Sequence, residues 1–457
     1  MIRELCSFTV GEEFAQMRSI PVAMGAGREG ATLFVHSQNP NIDPWSEAFN
    51  YARDTLKMTL ISDSGKVLWR RDLGWGLVPG IWYSPVLSFD LDGDGVDEIW
   101  YVGNTRPNLP LTTYYRVLER IDPRSGEVTG QWPWPPYPRN ESMSHTYRYT
   151  LAAGYSHGEP VLITAQGTYH DMHLQGYQAG MNKRWEILIP GDAPGARASH
   201  VFPILDMNDD GVDEIFWGER ILSVDDGHEL FCCDRDRFNA HSDIVVPFID
   251  PADGRKYIYT CREGGGAPRV VTYDFNGNII WSAVEAGHMH KGWVANIGEN
   301  RRRIAMAMSL ALDAKGGDIH KSTPILYYYD AVSGKPVDFT MPFPGCHLMP
   351  IDFTGDGYHE FFGTGGDALG KCYDRFGKCL ATLHGEDKAQ VVRSGKILDR
   401  PGQQLMLAYG KEGVVRIWGD DAATGEDDPL CKRYHRFMQH MMASGYNHIN
   451  SVQSCGM

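Results

Sequence analysis

VLSFDLDGDGVDEIWYVG (86–103), VFPILDMNDDGVDEIFWG (201–218) and LMPIDFTGDGYHEFFG (348–363) repeat one pattern. Each is an apolar strand, a turn rich in aspartate and glycine, and a second apolar strand. Weaker copies stand at 245–260 and 392–410, and only the strand-turn-strand outline survives at 293–307, 154–165 and 20–35. A second pattern, strand, D-x-x-G, strand, occupies 60–69, 120–132, 221–231, 271–281, 327–339 and 372–380, with looser copies at 176–188 and 415–427. The two patterns alternate along the chain, giving eight pairs spaced by roughly 45 to 70 residues. Four strands per repeat, arrayed radially, make a propeller blade. The expected fold is therefore all-β, a single β-propeller over residues 1–457. Eight blades are favoured, or seven if the outermost units close the ring differently. RYHRFMQHMMAS (433–444) has helical apolar spacing, so 431–457 reads as a short, partly helical C-terminal extension.

Composition agrees. Of 457 residues, 51 are glycine and 12 tryptophan, which suits many tight turns between strands. The net charge of −15 disfavours nucleic acid, whose phosphates need a surplus of lysine and arginine. It leaves room for an acidic sugar held by a local cationic pocket. No apolar run is long enough to span a membrane. The N-terminus MIRELCSFTVGEEFAQ has no signal-peptide core, which points to the cytoplasm, or to the periplasm or exterior if a leader has been removed. The nine cysteines are irregularly spaced and imply no disulfide framework. The oligomeric state is not legible.

The aspartate-rich turns have the spacing of calcium loops. Asp90, Asp92, Asp94 and Glu98 occupy positions 1, 3, 5 and 9, Gly95 permits the turn, and the Val96 carbonyl serves position 7. The second loop offers Asp206, Asn208, Asp210, the Val212 carbonyl and Glu214; the third offers Asp352, Thr354, Asp356 and Glu360. An Asx turn without metal is the alternative, and Thr354, a weak ligand, leaves the third loop open between the two. Metal in these loops would staple strands rather than perform chemistry.

Histidine recurs just before the innermost strand of successive repeats: His145, His200, His241, His288 with His290, and His347. In a propeller that place is the mouth of the central channel. A single histidine there would be ordinary packing; the recurrence points to a titratable funnel. GTYHDMHLQGYQ adds Tyr169, His170 and His173, read as a strand with His170 on one face and the other two on the opposite face. Arg220 and Arg262 hold corresponding places in adjacent repeats, where a guanidinium could clasp a carboxylate or form an ordinary salt bridge. His200, His241 and His290 could instead gather a transition metal, with Cys261 adding a thiolate.

RYTLAAGYSHGEPVLITAQGTYHDMHLQGYQAGMNKRW (148–185), SHVFPILDMNDDGVDEIFWGERILSVDDGHELF (199–231) and AHSDIVVPFIDP (240–251) resemble the matching stretches of propeller-type rhamnogalacturonan lyases. Ulvan lyases and lyases of rhamnose-glucuronate linkages are related. The resemblance covers most of the chain in outline and 145–265 specifically. The chain is shorter than the larger rhamnogalacturonan lyases, lacks their accessory N-terminal domain and differs at Arg220 and His145, which leans toward the ulvan-type members. The resemblance implies β-elimination at a uronic acid in a rhamnose-containing acidic glycan. Such chemistry needs a cation for the carboxylate, a base for the C5 proton and an acid for the leaving oxygen. Arg220 is the first choice for the cation. His145 and His170 are the expected acid–base pair, with Tyr169 a further proton donor. His200, His241, Arg262, His290 and His173 would line the sugar subsites. A non-catalytic, integrin-like calcium propeller that binds carbohydrate or protein is the competing reading. A quinone-dependent dehydrogenase is set aside because the tryptophans look irregular.

Overall fold

The computed structural model describes residues 1–44, 52–109, 115–135, 142–266, 268–310, 324–383 and 389–425; the expected extension at 431–457 lies outside them. Within them the chain forms eight antiparallel sheets, seven of four strands and one of three. Each is a meander, so the structure is an eight-bladed propeller. Blades 1 to 7 follow chain order, with inner strands at Gln16–Val22, Val86–Phe89, Tyr149–Ser156, Ile204–Leu205, Ser242–Ile249, His288–Asn296 and Leu348–Ile351. Blade 8 takes its three inner strands, Ala389–Gly395, Gln404–Tyr409 and Val414–Asp420, from the C-terminal part. Its outer strand is N-terminal: Ile2–Thr9 pairs with Val414–Asp420, from Ile2 opposite Asp420 to Thr9 opposite Val414. This strand exchange closes the ring at eight and leaves no unit over for a seven-blade closure.

Burial follows position in the blade. Inner strands such as Ser242–Ile249 are buried throughout, being sandwiched between neighbours. Outer strands such as Val128–Pro133 alternate half-buried and exposed. Blade 6 has three full strands. Its fourth is reduced to a Tyr329–Pro336 bridge and a bond from Val337 N–H to the Tyr328 carbonyl, since proline cannot donate to a ladder.

Two devices join the blades. The indole N–H groups of Trp69, Trp185 and Trp281 donate to the carbonyls of Pro123 (2.7 Å), Val224 (2.8 Å) and Ala331 (2.8 Å) in the next blade. Each ring lies on a glycine there, Gly126, Gly227 or Gly334, where a Cβ would stand only 2.9, 2.8 or 2.5 Å from it. Tryptophans that look irregular in the sequence thus share one docking role in blades 1, 3 and 5. The residue just before the loop glutamate supplies the second device. Asp97, Asp213 and His359 accept hydrogen bonds from Ala23 N (2.8 Å), Tyr155 N (2.7 Å) and Asn296 N (2.8 Å) of the preceding blade.

A meander also sorts the loops. Turns after the first and third strands fall on one face, which carries the aspartate-rich loops. Turns after the second strand and the passages between blades fall on the other, which carries the histidines. Among the described residues no helix is long and apolar enough to cross a membrane.

Candidate active site

On the histidine face the passages into blades 4, 5 and 6 converge on two carboxylates. His200 Nδ1 stands 3.3 Å from Asp243 Oδ1, His241 Nε2 3.5 Å from the same oxygen, and His290 Nδ1 3.0 Å from Oδ2. Glu263 meets His288 Nε2 at 2.6 Å and also contacts His241. Two β-bulges aim the key groups. The register slips between Ser242 and Ile244, leaving Asp243 as the extra residue, and between Met289 and Lys291, leaving His290. Bulges re-aim side chains in this way beside functional sites. Burial opposes ionisation of Asp243 and Glu263, but the imidazoles around them outweigh it and hold both below the usual carboxylate range. Burial lowers His241, yet Asp243 and Glu263 raise it to about 9. His200, enclosed, is pushed well below the usual histidine value by burial.

The arrangement fits a cation. Both Asp243 oxygens and His241 Nε2 are buried and make no hydrogen bond of proper geometry, although imidazole nitrogens approach within 3.0–3.5 Å. The ligand atoms of His200, His241 and Asp243 lie within 4.8 Å of one another, as do those of Asp243, His288 and His290. Imidazole nitrogens and carboxylate oxygens, the donor types that hold divalent ions, are thus gathered in one small buried region.

Beside this cluster lie the groups suited to proton transfer. Tyr169 Oη is 2.6 Å from His200 Nε2, and its ring centroid is 4.4 Å from that of His241. Burial raises the Tyr169 phenol well above its usual range, so it is protonated. His145 sits in the single helical turn Met143–Thr146, capped by Ser142, whose hydroxyl accepts from His145 N at 3.2 Å. Its ring stacks on His170 at 6.2 Å and meets Tyr169 edge-on at 5.6 Å. The His170 side chain is 41% exposed, with Asp171 Oδ1 3.2 Å from its Nδ1. Behind them Arg148, 3% exposed, lies between the rings of Trp82 (4.6 Å) and Tyr169 (4.9 Å) and pairs with Asp43 at 3.3 Å.

Several expected site residues stand elsewhere. Arg220 is buried, paired with Glu229 and bonded to the carbonyls of Pro194 (2.7 Å) and Ala196 (3.3 Å), so it cannot meet a substrate carboxylate. Arg262 is buried in the wall. It bonds Glu219 at 2.7 and 3.0 Å and Asp234 at 3.0 Å, and lies 4.0 Å above the Phe238 ring. Its neighbour Glu263 is the residue that faces the site. His173 is buried in the third strand of blade 3, with Glu186 2.7 Å from its Nε2, and lines no subsite. Tyr169 and His170 do not alternate on a strand, because the strand begins at Met172 and both stand in the preceding loop. Cys261 directs its sulfur to the Tyr259 hydroxyl (3.4 Å), and burial pushes the thiol up to about 12, so it offers no thiolate. His347 packs against Gly365 and Gly366 in blade 7, apart from the cluster.

Arg262→Ala strands Glu219 and Asp234 inside the protein. The expected loss is about 3–5 kcal/mol of stability, read by denaturant unfolding, with KM for any substrate nearly unchanged. A large rise in KM in a folded variant would restore Arg262 to the binding site.

The aspartate-rich loops wrap alike. Asp90 accepts from the backbone N–H groups of Gly93 (2.7 Å) and Gly95 (2.8 Å), Asp206 from Asp209 (2.6 Å) and Gly211 (3.1 Å), and Asp352 from Gly355 (2.7 Å) and Gly357 (3.0 Å). The closing glutamates Glu98, Glu214 and Glu360 accept from Leu91, Met207 and Phe353 at 3.0, 2.7 and 2.9 Å. Ligand oxygens of Asp90, Asp92 and Asp94 gather within 4.8 Å. Burial first, then neighbouring carboxylates, raises Glu98 to about 7, Glu214 to about 8 and Glu360 to about 8. Asp352 is raised to about 6, again chiefly by burial.

No protein-family model matches the chain. Over 270 residues, 51% of the chain, it is 25% identical to the rhamnogalacturonan exolyase YesX of Bacillus subtilis. The matched region spans 43% of that relative, less than half its length. The fold is similar to that of the exotype rhamnogalacturonan lyase YesX, with a TM-score of 0.79, 17% identity, and coverage of 99% of this chain and 82% of that one. It is also similar to the rhamnogalacturonan lyase PL11 of Bacillus licheniformis, with a TM-score of 0.76, 19% identity, and coverage of 99% and 82%. These likenesses show the propeller fold.

Proposed function

We propose that the chain is a polysaccharide lyase that cleaves the glycosidic bond at a uronic acid of a rhamnose-containing acidic glycan by β-elimination. The observation that carries this reading is the meeting of Tyr169, His170 and His145 beside the His200–His241–Asp243 cluster at one channel mouth. The sequence similarity to a rhamnogalacturonan exolyase supports the substrate class. Ulvan and rhamnose-capped glucuronate saccharides are the other substrates to compare.

In the reaction the base removes the C5 proton, the electron pair forms the C4–C5 double bond, and the C4–O bond breaks toward a protonated leaving oxygen. His170, half-exposed and partnered by Asp171, is placed to take the proton, with His145 stacked behind it. With a cation on its Nδ1 beside Asp243, His200 would carry its proton on Nε2 and donate to the Tyr169 oxygen. That would leave the phenol proton for the leaving oxygen. Arg148, buried and paired with Asp43, is a fixed positive charge behind the Tyr169 ring that positions it without meeting the substrate carboxylate. A divalent cation held by His200, His241, Asp243 and Glu263, with His290 and His288 beside them, would supply positive charge against the substrate carboxylate. Imidazole-rich donors suit a transition ion such as zinc. The test is absorbance at the unsaturated-uronate band on the three substrates. A rise on rhamnogalacturonan supports the reading, and saccharide binding with no absorbance on any of them moves the chain to the integrin-like class.

The loops on the opposite face are proposed as structural Ca²⁺ sites, formed by Asp90, Asp92, Asp94, Val96 and Glu98, by Asp206, Asn208, Asp210, Val212 and Glu214, and by Asp352, Thr354, Asp356 and Glu360. Their glutamates titrate higher folded than unfolded, so without metal they contribute stability at low pH that is lost as pH rises toward about 8. In chelator, the Glu214 contribution to stability is expected to fall between about pH 4.5 and 8, and Glu214→Gln to flatten that slope. Saturating Ca²⁺ should raise Tm above neutral pH. An unfolding profile indifferent to both Ca²⁺ and chelator would remove the metal from these loops.

A further inference from the structure

We propose that a cavity at the closing seam of the ring binds a small hydroxylated carboxylate, about the size of one sugar acid. The cavity, about 310 Å³, lies on the turn face, opposite the histidines. Blade 1 forms its floor through Ile20–Ala23 and Gly30–Thr32, blade 2 one wall through Leu87–Phe89, and blade 8 the other through Arg393 and Ile397.

Arg393 is the reason to assign a ligand. A β-bulge between Val391 and Arg393 shifts the register, so that Val391 packs toward blade 7 while Val392 packs toward blade 1, and Arg393 lines the cavity. Its side chain is buried, the residue being 6% exposed, and Nε and Nη1 have no hydrogen-bond partner. Burial lowers its pKa to about 10, which still leaves a cation at neutral pH. Asp63 lines the same cavity, seated over Gly30, where a Cβ would stand 2.7 Å from Oδ2. No ion pair joins Asp63 to Arg393 among the described residues. The other polar walls are engaged: Ser88 donates to the Pro21 carbonyl, and Asp97 accepts from Ala23 N. A buried guanidinium with two unpartnered nitrogens, its charge offset only at longer range by Asp63, is unfavourable in itself, and an anion that enters the cavity and bonds those nitrogens removes the penalty. A carboxylate suits the planar guanidinium. Hydroxyl groups on the same molecule would donate to Asp63. The ligand would touch blades 8, 1 and 2 together, across the seam where the ring closes.

The site lies on the other face from the proposed catalytic groups, so its test does not depend on lyase activity. Titration calorimetry and thermal unfolding of the full chain would use galacturonate, galactose and inorganic phosphate, in wild type and in a His170→Ala background. The expected result is galacturonate binding that persists in His170→Ala and raises Tm, with no response to galactose. Arg393→Gln should weaken that binding about tenfold to a hundredfold, as for loss of a charge-assisted hydrogen-bonded pair. Ile397→Phe, which fills the cavity and keeps the charge, should weaken it as well, and it serves if Arg393→Gln fails to fold. Equal binding by wild type and both variants, or none by wild type, would overturn the site. Phosphate binding as tight as galacturonate would overturn the assignment to a hydroxylated carboxylate.

Discussion

Tyr169→Phe is expected to lower kcat for uronate elimination by about 10² to 10⁴-fold, the range for loss of a positioned acid or base. The substitution removes one oxygen and keeps the ring that packs against His241, His145 and Arg148. Folding and KM should therefore stay close to wild type. His170→Ala should give a loss of similar size, because the two residues act on different protons of one reaction. The double variant should lose little beyond the larger single effect, as expected of groups that work as a unit. Kinetics at several pH values separate the roles. If His170 is the base, the acid limb of the kcat/KM profile should disappear in His170→Ala and persist in Tyr169→Phe. A Tyr169→Phe enzyme with unchanged kcat would remove the phenol from the proton path.

Asp243→Ala is expected to have the second largest effect, on turnover and on stability together. Asp243 is 2% exposed and faces His200, His241 and His290. Without it the proposed channel-mouth cation would lose its central ligand, and the imidazoles lose the charge that holds them in place. Elemental analysis should show one divalent ion fewer per chain than wild type, and kcat should fall at least about a hundredfold. Breaking a buried charge cluster from one side costs about 3–5 kcal/mol, so Tm should fall as well. Asp243→Asn keeps the volume and separates the effects: stability should largely return, while metal and activity should not. Unchanged metal content in a folded Asp243→Asn variant would show that no ion is held there.

The fold was readable because the repeat is a local pattern. An aspartate-rich turn between two apolar strands, alternating with D-x-x-G hairpins, needs no long-range information to recognise. Eight pairs in the sequence became eight blades, and only the exchange of Ile2–Thr9 into the last blade was invisible to a reading along the chain. The site was half readable. Recurrent histidines marked the channel mouth, and His200, His241 and His290 do meet, with His145 and His170 next to them. Asp243 and Glu263 carry no recurrent signal in the sequence, although each lies within two residues of an expected site residue, His241 or Arg262. Alternation puts Asp243 on the same side as His241, two residues before it, but its place at the centre of three imidazoles depends on a bulge and on residues from other blades. Arg262 and Glu263 show the limit of reading by corresponding places in the repeats. The guanidinium looked like the ligand group, but it is bound to Glu219 and Asp234 in the wall, and the carboxylate beside it faces the site. Arg220 failed for the same reason, with Glu229 as its partner. Arg148 carried no signal at all, since its role depends on Trp82 arriving from another blade. Charged residues in a sequence look available; their partners become visible only in the fold.

The most direct test is ultraviolet absorbance at the unsaturated-uronate band, with wild type and Tyr169→Phe acting side by side on rhamnogalacturonan saccharides. Steadily rising absorbance is expected with wild type, and a rate at least about a hundredfold lower with a folded Tyr169→Phe. Absorbance that rises equally with both proteins would place the chemistry away from the histidine mouth, and no rise with either on any uronate substrate would contradict the lyase reading itself.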